Sequence, residues 1–115
     1  MYWTKTFNEL CQQDDLDVIG ICTPSFLHFE QIMPALGAGK RVISQKPAAG
    51  SLKREDELML AEKQSGKRVM PIFQYRFGHG AQKLRMLIDH GIAARAYLTT
   101  VETAWRRKPE YYTVL

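Results

Sequence analysis

The sequence predicts an α/β fold built on a doubly wound parallel sheet. Amphipathic segments alternate with short runs of apolar, often β-branched residues, and glycine or proline follows most of these segments and runs. Alternating elements with short connections are typical of parallel strands that are joined by right-handed crossovers. A doubly wound domain rarely begins with a helix, so we expect further strands before residue 1.

The predicted elements alternate from the first helix to the last strand. In order they are a helix at 6–13, a strand at 17–22, a helix at 27–37, a strand at 41–45, a helix at 52–64, a strand at 68–73, a helix at 81–90 and a strand at 95–105. The first strand is short and apolar, as expected for a strand covered on both faces. The last strand instead alternates polar and apolar residues, which is typical of an antiparallel sheet and indicates a second domain.

Capping and breaking residues set the predicted ends. Thr6 is a candidate N-cap with Glu9 three residues later, the spacing of a capping box. Ser51 is a candidate N-cap of the third helix, and Gly66 ends that helix. Pro34 is expected to kink the second helix or delay its start. Pro71 indicates an edge position or a bulge in the third strand.

Composition excludes several classes of protein. The 115 residues are 45% hydrophobic and 24% charged, which is ordinary for a globular protein and unlike a disordered one. The formal charge of +4 is spread among acidic residues, so nucleic-acid binding is only weakly indicated. No apolar run is long enough to span a membrane and no signal peptide is visible, so we expect a cytoplasmic protein.

Cysteine and histidine spacing argues against a metal site or a disulfide framework. Cys11 and Cys22 lack zinc-binding spacing, and the three histidines His28, His79 and His90 lie far apart in the sequence. Two cysteines in a chain of this length favour a reducing compartment. We therefore expect no metal ligands.

Polar residues follow the three central strands where each strand ends. Ligands bind beyond the carboxyl ends of the strands in open α/β sheets. The residues expected at that edge are Cys22, Thr23, Pro24, Ser25, His28, Gln45, Lys46, Pro47 and Arg76. The set contains no carboxylate, which suits an anionic or polyhydroxyl ligand. Because polar strand ends are common, Lys46 is also compatible with an ordinary solvated loop residue.

Three motifs in register resemble the Gfo/Idh/MocA oxidoreductase family. They are CTPSFLH at 22–28, GKRVISQKP at 39–47 and YRF at 75–77, which match the family's CTPN-x-x-H, GK-x-V-x-x-EKP and N/Y-x-RF patterns. GIAA at 91–94 is similar to the G-x-IG that follows them. This resemblance implies the C-terminal half of a Rossmann-type NAD(P)-binding domain at 1–93. It also implies the start of a substrate domain, based on a second sheet, at 94–115.

The resemblance assigns roles to the strand-end residues. Lys46 matches the family's catalytic lysine, beside the nicotinamide and the reacting hydroxyl. Gln45 stands where the family usually has a glutamate that contacts the nicotinamide ribose. The residues that match cofactor-binding positions are Cys22, Thr23, Pro24, Ser25, His28, Gln45, Lys46, Pro47 and Arg76. In the family the Lys-Pro bond is often cis, which would point Lys46 into the cleft.

Other parts of the family's site do not match any residue here. No G-x-G-x-x-G occurs in the sequence, although that turn supplies the pyrophosphate site in such domains. The choice between NAD and NADP therefore stays open. Trp105 and Arg106 resemble the start of the substrate domain, where they would lie on the substrate side, but a solvated tail explains them equally well.

The resemblance implies an NAD(P)-dependent dehydrogenase that acts on a sugar, polyol or related carbonyl compound. Half of the cofactor site has no counterpart in the sequence, so we expect little activity from the 115 residues alone. A non-catalytic nucleotide-binding or protein-interaction module remains the alternative. We expect no nucleic-acid or membrane partner, and a homo-oligomer for a longer form of the chain.

Overall fold

The computed structural model describes residues 4–92, 98–100, 102, 104 and 106–110. The chain forms two compact units, residues 1–73 and residues 74–115. The first unit contains α1 (Phe7–Cys11), β1 (Val18–Ile21), α2 (His28–Gly37), β2 (Arg41–Gln45), α3 (Leu52–Ser65) and β3 (Val69–Ile72). The second contains a 3₁₀ turn at Gln74–Phe77 and α4 (His79–Asp89). The predicted alternation of helices and strands is confirmed as far as α4.

The three strands form one parallel sheet in the order β1-β2-β3. Ile21 pairs with Ser44, and Gln45 pairs with Ile72, so the carboxyl ends of the strands meet at the same edge. Pro71 lies in β3, at one edge of the described sheet, as its sequence predicts.

The hydrophobic core lies on one face of this sheet. Ile19 and Ile21 of β1 are buried, whereas Val18 is 44% exposed. α2 packs against β1 and β2, and α3 packs against α2. The prediction that the first strand is covered on both faces is therefore wrong for the described part of the chain, in which β1 buries alternate residues only.

Packing keeps α2 helical through its proline. Pro34 lies inside the helix, which begins at His28, so the expectation of a start delayed by Pro34 is wrong. Phe29, Ile32 and Leu36 are buried against the core, and this burial offsets the hydrogen bond that proline cannot donate.

The helix ends follow local sequence chemistry. Thr6 and Ser51 accept hydrogen bonds from the third residue of α1 and of α3, as their predicted N-cap roles require. α2 ends in a Schellman motif, in which Lys40 N–H donates to Ala35 at 2.9 Å. Gly39 occupies the left-handed position of this motif, at φ 74°.

α4 begins two residues earlier than predicted, because Gly78 takes the extended N-cap conformation. About half of the predicted strand at 95–105 lies outside the described residues, and its described positions carry no helix or strand. The predicted domain boundary at 93–94 also lies outside the described residues. No helix in the described part of the chain is long and apolar enough to cross a membrane.

Candidate functional site

Two loops follow β1 and β2 at the carboxyl edge of the sheet. We call residues 22–25 the β1 loop, and we call residues 45–49, from the last residue of β2 onward, the β2 loop. Because Ile21 pairs with Ser44, Cys22 and Gln45 come next to each other where the paired strands end. The sheet therefore brings together two of the three segments that the sequence predicted for this edge.

Most side chains of the two loops face solvent. Cys22, Pro24, Ser25, Lys46 and Pro47 are exposed, while Thr23 and Gln45 are partly buried. The polar groups present are a thiol, two hydroxyls, an amide and an ammonium. None of them is acidic, as the sequence indicated, so the only formal charge on these loops is that of Lys46.

Lys46 lies at an exposed position with a cis peptide bond on its carboxyl side. The Lys46–Pro47 peptide bond is cis, as expected from the resemblance. Lys46 is exposed, and its ammonium has no hydrogen-bond or ion-pair partner among the described residues. After the exposed Pro47, Ala48 and Ala49 are 4% and 7% exposed, so the β2 loop then returns to the core.

His28 lies beneath both loops. It is 1% exposed, although it is a polar residue at the first position of α2. Its Nδ1 lies 2.6 Å from the Pro47 carbonyl oxygen, and its Nε2 lies 2.8 Å from the Thr23 carbonyl oxygen. The ring therefore touches both the β1 loop and the β2 loop.

Further hydrogen bonds fix the two loops. The Thr23 hydroxyl donates to Oε1 of Gln31 at 2.6 Å. The Ala49 N–H donates to Oε1 of Glu55 at 3.2 Å, which ties the β2 loop to the first turn of α3. Sequence reasoning missed Gln31. Its position three residues after His28 was the available signal, because residues three apart share one face of a helix.

The remaining predicted site residues lie in the second unit. Arg76 is exposed in the 3₁₀ turn and lines a cavity of about 630 Å³ together with Gln82 and Arg85 of α4. Arg106 is exposed, and Trp105 falls outside the described residues. Their predicted roles beside the cofactor and the substrate stay predictions.

The sequence matches the oxidoreductase family with an NAD-binding Rossmann fold over residues 2–73. The chain belongs to the Gfo/Idh/MocA oxidoreductase family. The match covers β1, β2 and β3 and both loops.

Two curated relatives are sugar or polyol dehydrogenases. D-glucoside 3-dehydrogenase of Escherichia coli (strain K12) is 31% identical over 90 residues, which are 78% of this chain and 26% of that protein. Inositol 2-dehydrogenase of Rhodococcus erythropolis is 32% identical over 83 residues, 71% of this chain and 24% of that protein. The chain thus spans about a quarter of the length of these relatives.

Solved structures share the fold. Scyllo-inositol dehydrogenase from Lactobacillus casei with bound NAD(H) and scyllo-inositol superposes with a TM-score of 0.71 and 28% identity, over 78% of this chain and 27% of that one. An NAD-binding oxidoreductase from Klebsiella pneumoniae gives a TM-score of 0.72 with 28% identity, over 76% and 23% of the two chains. The predicted Rossmann-type fold is confirmed.

The loops of this Gfo/Idh/MocA chain fit part of a nicotinamide dinucleotide. Hydroxyl and amide groups can hydrogen-bond ribose hydroxyls, and an ammonium complements an anionic or polarised oxygen. The glycine-rich turn that binds pyrophosphate is absent from the sequence. The hydroxyl, amide and ammonium groups at this edge are thus of the kinds that hydrogen-bond ribose hydroxyls and polarised oxygens.

Proposed function

We propose that this chain supplies the nicotinamide side of the active site of an NAD(P)-dependent oxidoreductase. The substrate class is a sugar, a polyol or a related carbonyl compound, and the reaction is hydride transfer. The observation that carries the proposal is the exposed Lys46, which has no partner among the described residues and lies at the carboxyl edge of the sheet beside the β1 loop.

The cofactor would be held by both loops. Thr23 and Ser25 offer hydroxyl groups, and Gln45 offers an amide that both donates and accepts. When bound, the nicotinamide supplies the hydride acceptor or donor, and the protein supplies position and electrostatics.

Lys46 would act on the reacting oxygen of the substrate. Hydride addition to a carbonyl leaves a negative charge on that oxygen, and in the reverse direction the alcohol acquires the same alkoxide charge when it loses its proton before hydride transfer. An ammonium within hydrogen-bond distance of the oxygen stabilises this charge and can exchange the proton. Because Lys46 has no competing ion pair among the described residues, its ammonium is available for this task.

Replacing Lys46 tests the proposal. Lys46→Ala in the full-length protein is expected to lower the rate of hydride transfer by at least a hundredfold, the usual scale for a general acid–base group. The dissociation constant of NADH or NADPH should change little, because the lysine is assigned to the reacting oxygen. The readouts are nicotinamide absorbance in single turnover and nucleotide fluorescence at equilibrium.

Lys63→Ala is the matched control, because Lys63 is an exposed lysine in the last turn of α3, which leads to the start of β3 at the opposite end of the sheet. It should leave both quantities unchanged. Undiminished hydride transfer in Lys46→Ala would refute the role given to Lys46. Nucleotide binding by the wild-type protein, without hydride transfer to any sugar or polyol, would favour the non-catalytic alternative.

A further inference from the structure

The buried imidazole of His28 joins two parts of the chain that are distant in sequence. Thr23 lies five residues before His28, and Pro47 lies nineteen residues after it. The two carbonyl oxygens belong to the β1 loop and the β2 loop. We propose that His28 is a positioning residue, which holds these loops at a fixed separation and so sets the place of Lys46 relative to Thr23 and Ser25.

The chemistry of the two contacts supports a hydrogen-bonding role. A carbonyl oxygen only accepts, so each contact requires a proton on the ring nitrogen. A neutral imidazole donates to one carbonyl at a time, whereas an imidazolium donates to both. Both distances, 2.6 Å and 2.8 Å, are those of hydrogen bonds. In either state the ring donates to at least one of the two carbonyls and contacts the other.

Burial explains how His28 acts on the site. The residue is 1% exposed and both of its nitrogens face protein carbonyls, so we infer that it acts through the loops and not by touching a ligand. Pro47 directly follows Lys46, so fixing the Pro47 carbonyl restricts the backbone that carries the ammonium. Gln31, on the same helix, fixes the Thr23 hydroxyl at 2.6 Å. α2 therefore holds the β1 loop at two atoms and the β2 loop at one.

The first test observes the ring directly, without any nucleotide. In the wild-type, full-length protein labelled with ¹⁵N, the ring N–H of His28 should exchange with solvent as slowly as buried amides. His79, which is exposed at the start of α4, is the internal control and should exchange rapidly. A His28 ring N–H that exchanges as fast as that of His79 would overturn the proposal.

The second test replaces the His28 imidazole with an aromatic ring that has no hydrogen-bond donor. His28→Phe should shift the backbone amide signals of Thr23 and Lys46 and weaken NADH binding about tenfold, the factor expected for roughly one lost hydrogen bond. Ile32→Val is the control, because it alters a fully buried residue of α2 whose side chain has no polar atom to bond either carbonyl. It should lower stability while the loop signals and the affinity remain unchanged.

The NADH affinity of His28→Phe tests the positioning role only if the proposed function is right. The backbone amide signals of Thr23 and Lys46 test it independently of that function. If the wild-type protein binds neither NADH nor NADPH, the proposed function fails, and the Thr23 and Lys46 signals alone decide the role of His28. Loop signals in His28→Phe that match those in Ile32→Val would overturn the positioning role. If His28→Phe does not fold, the exchange rate of the wild-type ring N–H decides.

Discussion

The Glu62 carboxylate accepts a hydrogen bond from the backbone N–H of Val69 at 2.6 Å. Glu62 lies near the end of α3, and Val69 is the first residue of β3. The backbone N–H of Val42 in β2 donates instead to the carbonyl of Arg68, the residue before Val69. The carboxylate thus accepts from a backbone N–H of β3, the outer strand of the described sheet. Unpaired N–H groups on an outer strand favour pairing with other chains.

Glu62→Ala should release this N–H group. The Val69 amide is expected to lose hydrogen-exchange protection, and the free energy of unfolding should fall by about 1 kcal/mol, because the hydrogen bond loses its acceptor. Exchange measured by NMR and urea unfolding are the readouts. Glu57→Ala, an exposed substitution on the same helix, should change neither. Unaltered exchange at Val69 in Glu62→Ala would contradict the contact.

The two cysteines should differ in reactivity. Cys11 is 2% exposed and Cys22 is exposed at the sheet edge. Burial raises the pKa of the Cys11 thiol, and the nearby Lys40 only partly offsets this. Because the thiolate is the reactive form, Cys22 should react with a disulfide reagent at once, and Cys11 should react only when the protein unfolds. Mass mapping should find the fast label on Cys22, and label on Cys11 in the native protein would refute the expectation.

The raised pKa of Cys11 also predicts a pH effect on stability. At neutral pH the thiol is protonated in both the folded and the unfolded chain. Above about pH 8.5 the unfolded chain loses this proton first, so the wild type loses stability as pH rises through the higher pKa of the folded state. The stability advantage of the wild type over Cys11→Ala should therefore shrink above that pH. A constant difference in urea unfolding between pH 7 and pH 10 would contradict this.

The sheet was predictable because its signals are local. The predicted bounds of the strand at 41–45 match β2 at both ends, because the β-branched run ends at a Lys-Pro pair. The N-cap at Ser51 was also predictable from the residues beside it. Burial on one face only was not predictable from Ile19 and its neighbours, because an apolar run does not reveal which elements cover it.

The candidate site was predictable as a set of residues and not as a network. Motif matching placed Thr23, Lys46 and Pro47 at one edge, and parallel pairing brought β1 and β2 together there. The contact between His28 and Pro47 spans nineteen residues and depends on how α2 packs, which no local pattern encodes. The contact between Glu62 and Val69 was missed because a helical glutamate is ordinarily solvated, whereas Glu62 is partly buried.

The ion pair between α2 and α3 should contribute little to stability. Arg54 Nη2 lies 3.0 Å from Glu30 Oε1, and the two side chains are 44% and 60% exposed. Glu30→Gln should lower the free energy of unfolding by about 0.5 kcal/mol at low salt, and the difference should vanish near 1 M NaCl. Arg54→Ala should cost more, because the guanidinium also lies 4.9 Å from the Phe29 ring centroid. Equal effects of both variants at high salt would exclude that ring contact as a source of stability.

Gln45 provides a test of the site that is separate from Lys46. It is partly buried at the end of β2, where the family usually has a glutamate, and its backbone carbonyl accepts from the Ser44 hydroxyl at 2.9 Å. Under the proposed function, Gln45→Glu should tighten NADH binding up to about tenfold, because a carboxylate accepts from ribose hydroxyls more strongly than an amide does. Gln64→Glu is the control and should leave the affinity unchanged, because it makes the same amide-to-carboxylate change at an exposed position near the end of α3. Equal affinities of Gln45→Glu and the wild type in fluorescence titration would show that Gln45 does not contact the ribose.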